Sequence, residues 1–430
     1  MSPLRVGIAG IGTVGSAVLR RLREDAASMA TRTGRPVLVT GVSARNRVNA
    51  AGLSGDISWF DDAVELARCR DIDVFVELIG GHEGVAREAV EAAIASGKSV
   101  VTANKAMLAH HGMALATAAE RQGVSIGFEA AAAGGIPIIK TLREALSGNT
   151  IDRVYGILNG TCNYILTRME AEGIGFAACL AEAQRLGYAE LDPTFDIDGF
   201  DTAHKLAILA SLAFGTAIDL DAVHVEGIRS ITSADLKAAD ELGYRVKLLG
   251  VAQRTDHGIE TRVHPSMVAK STALAEVKGV TNAIAINADA VRELTLVGPG
   301  AGGDATASAV LGDIADLARG GRVLPFGRPV ATLEHTPRAP MRRHEGGYYV
   351  RLSVKDRPGS IAAIATRMAA ADISFESIMQ RHEAGQDGGY VPVVLITHAT
   401  TETTIRDALD AVEAGGTIAG KPQLIRIERN

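Results

Sequence analysis

The chain has 430 residues, 47% of them hydrophobic and 22% charged, with 44 basic against 50 acidic side chains for a net charge of −6. This ordinary globular composition excludes disorder and fibrous structure, and a mildly acidic chain is a poor partner for nucleic acid. At roughly 100–200 residues per domain, the length implies about two to four domains, each able to bury its own core.

The first part alternates short apolar runs with helical periodicity. Strands are predicted at Leu4–Ala9, Val37–Val42, Val74–Leu78, Ser99–Thr102 and Ser125–Phe128, and helices at Val14–Arg23, Asp61–Arg68, Val85–Ala95 and Met107–Arg121. Such alternation predicts βαβ units around a parallel sheet. Gly134-Gly135-Ile136-Pro137 breaks the rhythm. Beyond it, helices are predicted at Ile138–Leu146, Thr161–Glu172, Phe176–Leu186, Thr202–Phe214, Ala222–Ile228 and Ser233–Leu242, then strands at Tyr244–Arg254 and Ile259–Pro265. That segregation reads as an α+β domain. Ser308–Arg319 is a helix that can return to the first domain. Pro325, Pro329, Pro337 and Pro340 mark a stiff linker, in which the run Arg342-Arg343-His344 reads as a solvated face. The last part predicts strands at Tyr348–Val354, Ser374–Gln380, Tyr390–Thr397 and Gln423–Ile427 with helices at Ser360–Ala371 and Thr401–Ala414. This βαββαβ order is the ferredoxin-like plan. The expected fold class is therefore α/β: a Rossmann-like parallel-sheet domain over 1–130 with a return helix at 306–320, an α+β domain over 131–305, a linker over 321–346 and a ferredoxin-like module over 347–430. Joined through prolines, the last module is expected to be separable.

Cys69, Cys162 and Cys179 form no CxxC or Cys/His cluster, which argues against a disulfide framework or structural zinc and for a reducing, cytoplasmic setting. No apolar run reaches ~18 residues, and Met1-Ser2-Pro3 has no basic n-region behind it. Neither a membrane span nor a signal peptide is expected.

Gly10-Ile11-Gly12-Thr13-Val14-Gly15 fits G-x-G-x-x-G, directly after the first strand and opening a helix. In that setting the first glycine permits the turn, the second admits the pyrophosphate and the third lets helix pack on strand, while the helix amides face the phosphates. Where an NAD site places an acid at the end of the second strand, this chain reads Ser43-Ala44-Arg45-Asn46-Arg47. An arginine accepts a 2′-phosphate that an acid repels, so NADP is favoured, with NAD possible. The alternative is that Arg45 and Arg47 are ordinary loop residues.

Two further segments carry titratable groups. Lys105 follows a predicted parallel strand at its C-terminal end, where open α/β sheets bind ligands. Asp201 and Lys205 are four apart, hence on one helical face, and Leu206-Ala207-Ile208-Leu209-Ala210 takes that helix into a core. A desolvated lysine there can shift toward catalytic range; a plain surface ion pair is the alternative.

The chain resembles homoserine dehydrogenases with a C-terminal ACT domain. The resemblance rests on GIAGIGTVG at 7–15, ELIGG at 77–81, VVTANKAMLA at 100–109, EAAAAGGIPIIKTLRE at 129–144, LNGTCNYILTRM at 158–169, GYAELDPTFDIDGFDTAHKLAILA at 187–210 and GPGAGGDATASAVLGDI at 298–314, in order over about the first 320 residues. It implies hydride transfer between nicotinamide and C4 of L-aspartate 4-semialdehyde, giving L-homoserine on the route to threonine, methionine and isoleucine. It implies Lys205 as general acid, and base in reverse, with Lys105 as a second ammonium beside cofactor and substrate. Glu190 and Asp201 would hold the substrate amino group and Asp196 would position it, while Gly187 and Gly302 would touch the cofactor. Glu129 through its side chain, and Ala132, Gly134 and Ile136 through carbonyls, would form a site for Na⁺ or K⁺, since hard cations take oxygen ligands; a buried turn with a capping glutamate is the alternative. His204 reads as a satisfied packing residue. Cys162, Ala132 and Leu191 depart from the family pattern, but none removes a required charge.

In the last module, Asp356-Arg357-Pro358-Gly359 resembles the loop opening the first ACT helix, with Ser360 as a cap. The resemblance implies an amino-acid effector, threonine being expected, and a homodimer or homotetramer; a module for assembly alone is the alternative. Two rivals remain for the whole chain. One is an acylating semialdehyde dehydrogenase with Cys162 as nucleophile, although no histidine lies near it in sequence. The other is a nucleotide-sensing regulator, although no basic helix-turn-helix pattern is present.

Overall fold

A computed structural model describes residues 2–45, 57–380 and 389–428. Arg47 lies outside them. The first domain runs β1 (Leu4–Ala9), α1 (Thr13–Glu24), α2 (Ala26–Thr33), β2 (Val37–Ser43), β3 (Ser58–Phe60), α3 (Ala63–Arg68), β4 (Val74–Glu77), α4 (Val85–Ala95), β5 (Ser99–Thr102), α5 (Lys105–Gln122) and β6 (Ile126–Gly127). The strands form a parallel sheet in the order β3-β2-β1-β4-β5-β6. That order reverses between β1 and β4, which opens a crevice at the strand C-termini. The strands β1, β4 and β5 are buried on both faces, which explains their unbroken apolar runs.

The middle runs α6 (Ile138–Lys140, continuing as a π-turn over Thr141–Ala145), β7 (Ile151–Ile157), α7 (Gly160–Glu172), α8 (Phe176–Arg185), α9 (Thr194–Ile197), α10 (Phe200–Phe214), β8 (His224–Val225), α11 (Ser233–Glu241), β9 (Tyr244–Thr255), β10 (Gly258–Ala269), β11 (Thr281–Ala288), β12 (Arg292–Pro299) and α12 (Gly303–Ala318). The helix expected at Ala222–Ile228 is absent: a 3₁₀ turn at Leu220–Ala222 leads into β8, because β-branched Val223 and Val225 favour extended backbone. The segments α2, β3, β7, β11 and β12 were not expected. Helix α12 packs on α1 of the first domain. Helix α10 is buried on nearly every face, the mark of a helix that crosses a core.

The last part runs β13 (Glu345–Lys355), α13 (Ser360–Ala370), β14 (Phe375–Gln380), β15 (Tyr390–Thr397), β16 (Thr400–Thr401), α14 (Glu402–Ala414) and β17 (Ile418–Glu428). Its separability is corrected by the structure. Strand β17 pairs in parallel with β10, so one sheet runs β12-β11-β7-β9-β10-β17-β13-β15-β14 through both domains. Charge seals that junction. Arg426 donates to Glu226 at 2.7 and 3.0 Å and to Glu402 at 3.0 and 2.7 Å. Arg262 donates to Glu428 at 2.9 Å and pairs with Glu260. Arg351 reaches the buried Asp235 at 2.6 Å, and the Tyr349 hydroxyl reaches it at 3.1 Å. The linker is pinned to the core by main-chain hydrogen bonds. His344, expected on a solvated face, is buried with Nδ1 3.2 Å from Glu260.

Candidate active site

The crevice behaves as its glycines require. Gly10 has φ +97, and a Cβ there would lie 2.3 Å from the Leu78 carbonyl oxygen. A Cβ at Gly15 would lie 2.0 Å from the Gly10 carbonyl oxygen, so α1 packs on the turn. Gly12 caps α1 and faces open space, the approach a pyrophosphate needs. Thr13 and Val14 form the first turn of α1, and Gly302 caps α12 beside it: a Cβ on Gly303 would lie 3.2 Å from Thr13 Cγ2. Two helix N-termini thus meet at one place and favour an anion there. A cleft of about 570 Å³ runs on past Ser43, Ala44 and Arg45. No acid ends β2. Gly187, with φ +77, faces open space beyond α8.

The titratable groups meet between the two domains. Asn104 caps α5 by accepting from Met107 N at 3.0 Å, and its amide donates to the Gly81 carbonyl at 2.6 Å. This fixes Lys105 at the first position of α5. Its Nζ lies 3.1 Å from Asp201 Oδ1, and Lys205 Nζ lies 2.7 Å from Oδ2. Lys205 also donates to the Leu158 carbonyl at 2.7 Å. One buried carboxylate therefore joins two ammoniums from two domains. Burial alone raises the Asp201 carboxyl, but Lys205, Lys105 and the hydrogen bonds outweigh it and hold the group well below the usual carboxylate range. The same carboxylate raises Lys105. Asp196, on α9, is raised, first by burial and then by Asp201.

Sequence reasoning passed over Asn159, which ties the acids together. Its amide donates to Asp196 at 2.8 Å and to Asp201 at 2.9 Å, while its oxygen accepts from Cys162 N at 2.8 Å. An Asn directly before Gly160-Thr161 is a readable N-cap signal, but its second task depends on the tertiary fold. Glu190 lies on an exposed stretch and reaches Lys105 only through its field. His204 packs edge-on against His110 and Phe195 at centroid distances of 5.3 and 5.2 Å. It is not fully satisfied, since its Nδ1 has no hydrogen-bond partner. Cys162 is buried, its thiol is pushed well up by burial, and Sγ donates to the Asp196 carbonyl at 3.2 Å; this is no nucleophile.

Behind the crevice Glu129 is buried. Its two oxygens accept from Ile139 N at 2.8 Å and Lys140 N at 2.9 Å. Burial pushes it up to about 7, and burial likewise pushes neighbouring Asp313 up to about 6, against the hydrogen bond from Glu129 N. Gly134, with φ +57, lies against Gly300, where a Cβ would be 2.5 Å from the Gly300 carbonyl carbon. Ala132 and Ile136 flank it, both buried.

Family models describe the same three parts: "Homoserine dehydrogenase, NAD binding domain" over residues 10–129, "Homoserine dehydrogenase" over 137–315 and "ACT domain" over 348–414. The homoserine dehydrogenase of Pseudomonas aeruginosa is 46% identical over 436 residues, covering 100% of both chains. The chain belongs to the homoserine dehydrogenase family. That of Mycobacterium tuberculosis is 40% identical, covering 99% of this chain and 98% of its own. A homoserine dehydrogenase structure from Thiobacillus denitrificans matches with a TM-score of 0.93 at 43% identity, covering 100% of this chain and 99% of its own. A hyperthermophilic archaeal homoserine dehydrogenase in complex with NADPH matches 75% of this chain, with 99% of its own covered, at 29% identity and a TM-score of 0.65. The activity is the family's: nicotinamide-dependent interconversion of L-aspartate 4-semialdehyde and L-homoserine in amino-acid biosynthesis. Both rival readings fall with this assignment. Among the described residues no helix is long and apolar enough to cross a membrane.

Proposed function

We propose that the chain runs this reaction with NADP in preference to NAD and that Lys205 is its general acid. The carrying observation is the bridge Lys105–Asp201–Lys205 across the interdomain crevice. Bound in the crevice, the nicotinamide supplies the hydride. Gly10, Gly12, Thr13, Val14, Gly15, Gly187 and Gly302 would hold the cofactor, and Arg45 its 2′-phosphate. Lys205 Nζ, fixed by Asp201 and the Leu158 carbonyl, delivers a proton to the developing alkoxide and takes it back in reverse. Lys105 adds a second positive charge where that alkoxide forms. Asp201 aligns both ammoniums and, with Glu190, takes the substrate amino group, while Asp196 positions it through Asn159.

A monovalent cation would suit Glu129, a buried carboxylate that accepts from two amides beside a glycine-rich turn, with the carbonyls of Ala132, Gly134 and Ile136 completing the site. Na⁺ or K⁺ there would brace the hinge between the domains and take no part in hydride transfer. The edge strands β14 and β12, with exposed Ile378 and Val297, support assembly as a homodimer or homotetramer. The ACT domain supports regulation by an amino acid such as threonine. Three free cysteines support a cytoplasmic setting.

Cofactor choice is tested with Arg45→Ala. The KM for NADP should rise about fivefold, the loss of one exposed charge-assisted contact, while the KM for NAD stays. Equal changes for both cofactors would remove Arg45 from 2′-phosphate recognition.

A further inference from the structure

A cavity of about 290 Å³ lies on the opposite side of α10 from the crevice. Its floor is Ala207, Ala210 and Ile218, so the helix that carries Asp201 and Lys205 also forms this wall. Its roof is the linker, pinned at two places. At one end Ala217 N donates to the Glu334 carbonyl at 3.0 Å and Glu334 N to the Gly215 carbonyl at 3.0 Å. At the other, Ile259 N donates to the Pro337 carbonyl at 3.1 Å and Ala339 N to the Ile259 carbonyl at 3.0 Å. His335 and Thr336 span the gap between the pins and line the space beneath.

The lining is too polar for a packing defect. Thr261, 7% exposed, stands on the face of β10 that packs toward α10, and its hydroxyl has no hydrogen-bond partner. The Thr336 hydroxyl is buried and unpartnered as well. Unpaired buried hydroxyls are costly, and two of them facing one cavity leave room for a polar partner. Charge of both signs stands at the rim. Asp219 takes Nε and Nη2 of Arg338 at 2.7 and 2.6 Å, leaving Nη1 for a ligand. Among the described residues, Glu334 is held through its main chain alone. The volume lies just under the roughly 300–1,000 Å³ of drug-sized sites, which limits the occupant to few heavy atoms.

We propose that this cavity binds a small free α-amino acid, its carboxylate on Arg338, its ammonium on Glu334, its short side chain on the alanine floor and its polar atoms on Thr261 and Thr336. This site is separate from the substrate pocket and from the ACT domain, and none of its residues serves hydride transfer.

The test is calorimetric titration of the full-length protein with L-threonine, L-alanine and glycine, repeated on Arg338→Gln, Thr261→Val and Ala210→Leu. At least one of the three should bind the wild type. Arg338→Gln should weaken that binding tenfold or more, and Thr261→Val by roughly fivefold, one neutral hydrogen bond. Ala210→Leu should abolish it by filling the floor. All three variants should keep wild-type turnover, and Thr261→Val carries the test if Ala210→Leu does not fold. No binding of any probe by the wild type would overturn the proposal. Unchanged affinity and stoichiometry in Arg338→Gln and Thr261→Val would do so too, placing the ligand in the substrate pocket or the ACT domain.

Discussion

Two clusters of buried charge hold this molecule together, and they are built on opposite rules. At the ACT junction Arg262 and Arg426 are each 1% exposed, and their guanidinium nitrogens meet glutamates, except Arg262 Nε, which donates to His264 at 3.0 Å. The cluster is closed and balanced. In the crevice two ammoniums share one carboxylate, and the Lys105 side chain is still 33% exposed. That cluster is left open toward the crevice. A closed network fixes geometry at a desolvation cost; an open one keeps charge available for a transition state.

The largest expected effect comes from the open cluster. Lys205→Ala should lower kcat by about 10²–10⁴-fold, the usual worth of general acid–base help, with NADPH binding by fluorescence nearly intact. Near-wild-type kcat at all pH values would exclude the role. The closed cluster should answer in stability. Arg426→Met leaves Glu226 and Glu402 to the half-exposed Arg406 and to His224 and should cost about 3 kcal/mol in urea unfolding, the low end for a broken buried pair, with kcat of the folded enzyme unchanged. Ending the chain after Gly320 leaves Glu226, Arg262 and Asp235 without their ACT partners and Glu260 without His344 of the linker. The core left behind carries buried charges made for a neighbour. The truncated protein should therefore be recovered poorly. A soluble truncation as stable as the full chain, or a loss of kcat in Arg426→Met, would erase the distinction between the clusters.

Glu129 offers a smaller contrast within one protein. Its carboxyl is raised to about 7, above the ordinary value near 4.3. Between those values the folded chain keeps a proton that the unfolded chain has released, so stability falls as pH rises through that window. A cation at the site replaces the proton. Its stabilisation should show above about pH 7 and fade below it, reaching about 1.4 kcal/mol at a tenfold excess over Kd. Thermal melts in NaCl or KCl against choline chloride measure it, and Glu129→Gln should abolish the difference. Identical melts in all three salts for the wild type would leave Glu129 as a helix cap only.

What could be read from sequence follows the range of the interactions. Strand β1 and the turn after it are local: an apolar run, then three glycines at fixed spacing. Asp201 and Lys205 were legible because four residues on a helix guarantee contact. Strands β11 and β12 were not, because Thr281–Ala288 is rich in small residues and Arg292–Pro299 is largely solvated; each is a strand only because a sheet edge receives it. The junction arginines and glutamates lie up to 200 residues apart, so nothing local announces them. The prolines of the linker suggested a joint, but whether a joint is free depends on what lies beneath it.

The smallest expected effect lies between the clusters, where His82, His110 and His204 form a column across the crevice. His82 stacks on His110 at 4.5 Å, and His110 meets His204 edge-on. His110 and His82 come from the first domain and His204 from α10, so an opening of the domains would break the column. Burial, then the neighbouring His110, lowers His204 to about 4; Asp201 acts the other way, and Lys105 lowers it further. Burial and His82 lower His110 as well. His204 is thus neutral near neutral pH in this arrangement, whereas free imidazoles protonate near 6.5. Above that value closure carries no proton cost. As pH falls from about 6.5 toward about 4, the open form gains protons that the closed form refuses, and closure weakens. The KM for NADPH should rise severalfold over that window. His204→Phe keeps the edge-on packing against Phe195 and removes the titrating nitrogen, so it should flatten the rise without changing kcat at neutral pH. A rise as steep in His204→Phe as in the wild type would return the acid sensitivity to the carboxylates of the open cluster.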